Sequence, residues 1–173
     1  FPYTTLFRSR WEECKKKVSW KDTKLTPWNG TASQPNNGGD GTVSNPYLVN
    51  TAEELRWCLA NQQSCKLIKD IDLGGQNGKN WTGININQAI TIDGNGHTVY
   101  NLYSEVNTNP GFVASVSNGN SGFLMKNLTL SNAKVYTNIG ASYYSHAASF
   151  IAQFNAGTVD NCVVKKVLVD GKG

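Results

Sequence analysis

Two stretches of this chain lie over one another without a gap: residues 125–135, M-K-N-L-T-L-S-N-A-K-V, and residues 159–169, V-D-N-C-V-V-K-K-V-L-V. Apolar residues fall at Met125, Leu128, Leu130, Ala133 and Val135, and again at Val159, Cys162, Val164, Val167 and Val169. The steps are three, two, three, two in both copies. A step of two is a strand with one face buried, because successive side chains alternate across it. A step of three absorbs one extra residue at a bend, so that the next strand again points inward. Strand, bend, strand, bend is the cross-section of a coil. Ile68, Ile71 and Leu73 give the three-two part once more. Asn127 and Asn161 fall on the same bend, where stacked asparagines would bond the backbone of neighbouring turns. A repeat that cannot bury its own face must stack on copies of itself, so the rhythm predicts parallel coils rather than a hairpin sandwich.

The stretch Ala89–Tyr103 agrees with this. Ile90 and Ile92 alternate with Thr91 and Asp93, then Asp93-Gly94-Asn95-Gly96 turns the chain, and Thr98-Val99 resumes a strand with Leu102 as its next apolar partner. A hairpin and a coil corner both fit locally; the repeat elsewhere favours the corner. Upstream, Pro46–Val49 reads as a short strand. Thr51 and Glu54 have the spacing of a capping box, and Leu55, Cys58 and Leu59 share one helical face, which predicts a helix from Ala52 to about Asn61. Lys66–Leu73 is a further strand region, Gly74–Gly83 a loop, and Ile84 and Ile86 another short strand. The Gly/Asn-rich tract Trp28–Asn45 is a loop. Its Asn36, Asn37, Asp40 and Thr42 offer oxygens, but without the regular acidic spacing of a calcium loop a plain turn is expected.

Charge is informative mainly by where it sits. Residues 1–24 hold seven of the 16 Lys/Arg and three of the 12 Asp/Glu, and so carry the whole net charge of +4; the remainder balances at nine of each. The body therefore lacks the electrostatic footprint of a nucleic-acid binder. Lys15–Lys17 reads as a solvated charge run. No stretch reaches the ~18 consecutive apolar residues of a membrane span. Phe1–Arg10 resembles a translated sequencing adapter, and 11–24 fits a short helix, a linker or misread sequence equally. Residues 1–24 are accordingly expected to be artefact or linker and poorly ordered, and 25–173 to be one domain.

Taken in order, a set of short motifs resembles a known family. Trp28–Thr31, Gly39–Thr42, Asn45–Leu48 and Thr51–Leu55 are followed by Leu67–Leu73 (L-I-K-D-I-D-L), Trp81, Asp93–Thr98 (D-G-N-G-H-T), Asn127–Val135 and Gly157–Val164. This succession resembles the right-handed parallel β-helix (pectin-lyase-like) regions of bacterial secreted and surface proteins that carry GLUG repeats. Where that family has G-L-x-G, this chain has Gly111-Phe112-Val113-Ala114 and Ser149-Phe150-Ile151-Ala152, so its copies are degenerate. The resemblance implies an all-β solenoid, with the Ala52 helix as a short N-terminal cap on the coil. It also implies export to the cell surface, and a coil that continues past Val169–Gly173, where no capping element follows an apolar rung.

Cys58 and Cys65 bracket six residues, a spacing that a disulfide could staple in an exported protein; an unbridged pair is the other reading. Cys162 falls on an inward position, and Cys14 lies in the doubtful segment. No spacing reads as zinc or a redox pair, and no cofactor is expected. Asp93 with His97, and Asp70 with Asp72, are the titratable pairs to weigh, and turn or rung structure explains both. The loop Asn138–Ala148 is the best binding candidate, because it interrupts the coil between aligned rungs and carries Tyr143, Tyr144 and His146. The expected function is a non-catalytic scaffold or adhesion module that takes a polysaccharide or host-surface ligand. The alternative is the first rungs of a polysaccharide lyase or glycoside hydrolase. A viral tail-spike coil, which would trimerise, is a third reading.

Overall fold

The structure is a computed structural model and describes residues 12–13, 18–138 and 146–171. The chain forms a parallel β-solenoid of about three turns. Its strands are β1 (Tyr47–Val49), β2 (Cys65–Leu67), β3 (Ile71–Asp72), β4 (Ile84–Ile86), β5 (Thr91–Asp93), β6 (Thr98–Tyr100), β7 (Tyr103–Val106), β8 (Val113–Val116), β9 (Leu124–Lys126), β10 (Thr129–Thr137), β11 (Ile151–Phe154), β12 (Thr158–Asp160) and β13 (Val163–Asp170). Three sheets result. The first runs β1-β2-β5-β9-β12, the second β3-β6-β10-β13 with β7 also on β10, and the third β4-β8-β11. The chain visits first, second and third sheet in turn and then repeats, and every pairing is parallel. Ala89–Tyr103 is thus a corner: β5 pairs with β2 and β9, β6 with β3 and β10, and not with each other.

The rhythm read from the sequence sets the register. Leu130 pairs with Val164, Ala133 with Val167 and Val135 with Val169. Met125, Leu128, Leu130, Ala133 and Val135 all lie in one continuous core. The earliest copy is shifted: Leu67 is fully buried where Ile68 was expected to point inward, because three residues rather than two make that bend. The degenerate G-F-V-A and S-F-I-A segments do stack, Val113 opposite Ile151.

The bends are held by asparagines in left-handed backbone. Asn127 and Asn161 have φ of 52° and 46°, and Asn161 Nδ2 donates to Asn127 Oδ1 at 2.9 Å. The ladder is therefore side chain to side chain. Asparagine tolerates this region better than other non-glycine residues. A second ladder, not anticipated, stands at the next bend, where Asn101 and Asn132 both have φ of 57°.

That second ladder holds the segment from Val18 to Lys24, which crosses the outside of the second sheet as a strap. Asn132 Nδ2 donates to Ser19 O at 2.7 Å. Asn101 Oδ1 accepts from Lys21 N–H, and Asn101 Nδ2 donates to Lys21 O, both at 2.8 Å. Thr23 Oγ1 donates to Asp72 Oδ2 at 2.6 Å, and Trp28 N–H reaches Asp72 O at 2.9 Å. Trp20 packs edge-on to Tyr103, with Lys134 Nζ 4.4 Å from its ring. Structured chain thus begins before the boundary at residue 25 drawn from composition. The reason is that the rungs bind the strap largely through its backbone, which composition does not reveal. Residues 1–11 and 14–17, Cys14 among them, lie outside the described residues.

The helix α1 (Ala52–Ala60) follows β1, with Thr51 Oγ1 accepting from Glu54 N–H at 3.2 Å. Glu54 Oε2 returns to Asn50 N–H at 2.8 Å, so the capping box closes one residue earlier than expected. Leu55, Cys58 and Leu59 face the core. An open strand edge exposes unpaired backbone groups, and here each sheet's first strand is covered. Arg56 donates to Thr82 O, and Gln62 Nε2 to Asn85 O at 2.9 Å, on the β4 side. Leu48 N–H of β1 donates to Gly38 O at 2.9 Å, and Pro27 bridges Asp72 of β3. Trp81, fully buried, fills this end. It stacks on Phe112 at 5.8 Å, meets Trp28 edge-on at 5.1 Å, and lies under the Arg56 guanidinium.

Candidate functional site

The loops that join the second sheet to the third meet at one corner: 74–83, 107–112 and, of the third, the described residues 138 and 146–150. Amides tie them together. Asn80 grips the backbone of Glu105 from both sides, Nδ2 to O at 2.8 Å and N–H to Oδ1 at 2.9 Å. Asn138 Nδ2 donates to Asn107 Oδ1 at 2.7 Å. Asn109, with φ of 51°, accepts from the His146 N–H at 3.1 Å and donates to Gln153 Oε1 at 3.3 Å. Ala148 N–H reaches Pro110 O at 3.2 Å. His146 is exposed and held by its backbone. Tyr143 and Tyr144 lie outside the described residues.

Beside this corner, the outer face of the second sheet carries Tyr103, Glu105 and Tyr136, with Glu105 and Tyr136 in register. The tyrosine rings meet at 6.1 Å. Tyr103 Oη donates to Glu105, and that bond, followed by burial, pushes the phenol up to about 12. The phenol therefore stays protonated at neutral pH and works as a donor. The corner thus offers amides, which both donate and accept, next to half-buried aromatic rings. Such groups bind hydroxyl-rich surfaces. The sequence indicated the third loop only; Asn80 falls in the loop expected at Gly74–Gly83, and nothing local shows that Asn80, Asn107 and Asn109 lie where three loops meet.

The titratable pairs resolve into structure. Asp70 and Asp72 do not meet solvent as a pair. Asp72 is 1% exposed beneath the strap, and accepts from Gln76 Nε2 and Asn101 Nδ2 at 3.0 Å and from Gly74 N–H at 2.9 Å, besides Thr23. Asp70 Oδ1 accepts from Thr98 N–H at 2.9 Å and lies 3.2 Å from His97 Nδ1. His97 therefore partners Asp70 of the preceding turn rather than Asp93, whose Oδ2 is 3.5 Å from Lys126 Nζ. Both pairs tie rung to rung.

Asp40 and Thr42 form a side-chain turn, Thr42 N–H and Oγ1 reaching Asp40 Oδ1 at 3.0 and 2.7 Å, and Asn37 is spent on Leu48 and Glu54. Among the described residues, no cluster of three or more His, Cys, Asp or Glu stands together to hold a metal ion. Cys58 and Cys65 are buried free thiols, and no bridge joins them. Burial raises both, Cys58 to about 12. Among the described residues, no helix is long and apolar enough to cross a membrane. Compared with family models, with curated proteins and with solved structures, the chain matches nothing.

Proposed function

We propose that this chain is a non-catalytic scaffold of an exported bacterial surface protein, an adhesion module built on a pectin-lyase-like coil with degenerate GLUG-type repeats. It holds a polysaccharide or host-surface ligand at the corner formed by 107–112 and the stems, 138 and 146–150, of the third loop. The observation that carries this reading is the bracing of that corner. Asn107 and Asn109 fix the stems of the third loop on the rung below, so the loop starts from a rigid base. A loop anchored at both stems loses less conformational freedom on binding. A stiff coil with recognition at its loops suits presentation at a surface, and the neutral charge balance of residues 25–173 suits an uncharged ligand.

The test is a panel of insoluble and soluble polysaccharides. The wild-type protein should co-sediment with at least one polymer and leave it unaltered. The triple variant Tyr143→Ala, Tyr144→Ala, His146→Ala should lose that retention while keeping its thermal transition. Release of new reducing or unsaturated sugar ends would overturn the scaffold reading in favour of a lyase or hydrolase.

A further inference from the structure

A second cleft lies away from the corner. It has a volume of about 430 Å³ and sits between the 41–43 turn, the residues after α1 and the 88–90 loop that enters β5. Its size is within the range of ligand sites, roughly 300–1,000 Å³. None of its ten lining residues is charged. Asn61, Gln63 and Gln88 bring amides, Thr42 a hydroxyl, and Val43 and Ala89 exposed apolar surface.

The walls are fixed independently of any ligand. Gln62, in left-handed backbone with φ of 56°, accepts from Asn87 N–H at 3.0 Å and so pins the 87–90 loop to the end of α1. Ser64 N–H donates to Gly41 O at 2.8 Å, and Ser64 Oγ accepts from Thr91 N–H at 3.0 Å. Asp40 and Thr42 brace the remaining wall. Bonding capacity is left over. Among the described residues the Gln88 side-chain amide has no hydrogen-bond partner, and Asn61 and Gln63 use only their Nδ2 and Nε2 groups. Val43 stands 57% exposed at the lip.

We infer that this cleft is a binding site for neutral oligosaccharide. A sugar hydroxyl donates and accepts from one oxygen, which an amide matches and a charged side chain does not. The C–H face of a pyranose needs apolar contact, which the exposed Val43 and Ala89 supply. A uronate or phosphate would be drawn to cations, and the lining contains none. The site is separate from the corner, so either can fail without the other.

The experiment is a heteronuclear NMR titration of the ¹⁵N-labelled chain with cello-, manno- and galacto-oligosaccharides, and with oligogalacturonate as the charged comparison. At least one neutral oligomer should shift the amides of 41–43, 61–64 and 88–90, with equal affinity at low and high salt. Gln88→Ala and Val43→Ala leave the hydrogen bonds of the walls intact, and Gln88→Ala should weaken that binding about tenfold. The inference is overturned if no neutral oligomer shifts these amides, if oligogalacturonate binds there more tightly, or if neither variant changes the affinity. Shifts confined to 107–112 and 146–153 would also overturn it while leaving the corner as the functional site.

Discussion

Asn101 joins strap, ladder and buried carboxylate, and replacing it tests whether the strap is part of the fold. The residue is fully buried and makes three side-chain hydrogen bonds, two with the Lys21 backbone and one to Asp72 Oδ2. A neutral hydrogen bond contributes about 1 kcal/mol net, and one to a charged partner about 1.5 kcal/mol or more. Alanine also meets a φ of 57° with a Cβ that disfavours it, at about 1 kcal/mol. Asn101→Ala should therefore cost about 4–5 kcal/mol, a fall of about 10–15 °C in Tm for a chain of this length. Asn101→Gly removes the backbone strain but loses the same three bonds, so it should cost about 1 kcal/mol less than Asn101→Ala. Chemical denaturation followed by circular dichroism measures both, and limited proteolysis reports release of residues 18–24. If Asn101→Ala costs under about 1 kcal/mol, the strap is an ornament and the hydrogen-bond reasoning fails. If alanine and glycine cost the same, the positive φ carries no strain.

Further measurements follow from the same geometry. A Cβ on Gly94 would sit 2.4 Å from Asn127 O and 2.5 Å from Leu128 Cα, both in the next rung, so Gly94→Ala should cost about 3 kcal/mol or more by overpacking. Gly96→Ala meets nothing within 4 Å and has only its φ of 81° to strain, so about 1 kcal/mol is expected; equal losses would contradict the clash. Cys58 has its pKa raised from 9.0 to about 12 in the fold, so the unfolded chain ionises first as pH rises. Its contribution should be complete below pH 9 and decline between pH 9 and about 12, read as a falling denaturation midpoint whose slope Cys58→Ala reduces, the rest coming from Cys65 and Tyr103. In a Cys14→Ser background at pH 8, Cys162, which is only partly buried, should react with a thiol reagent first. Cys58 and Cys65 should react only on unfolding; a pair that stays inert in denaturant until reduced would instead reveal a disulfide.

The coil was legible because its information is repeated. The later rungs share the same inward addresses, so Met125, Leu128, Leu130, Ala133 and Val135 could be read from spacing alone, and the helix from its cap and apolar face; only the earliest copy, with Leu67 inward in place of Ile68, departs. The strap was not legible. What the rungs recognise at Ser19 and Lys21 is backbone, and backbone groups are the same in every sequence. Asn101 and Asn132 are nevertheless buried beneath it, and a buried asparagine needs partners. The corner was legible only in part for a related reason. Asn80, Asn107 and Asn109 are far apart along the chain, and only the solenoid period brings them to one edge.

An inward address is also not the same as burial. Leu130 and Val164 are register partners with the same place in the rhythm, yet Leu130 is fully buried and Val164 is 44% exposed. Val159 and Val169, partners of Met125 and Val135, are 41% and 38% exposed. The difference is neighbours. A middle rung is covered on both sides, whereas β12 and β13 each pair with a strand on one side only. Hydrophobic stabilisation follows the area removed from water, so identical repeats contribute unequally along the coil. At the opposite end the first strands are equally one-sided, but the helix, the 37–38 turn and the strap cover them, and Trp81 closes the interior. Sequence rhythm therefore fixes which way a residue points, and the next rung decides what that direction is worth.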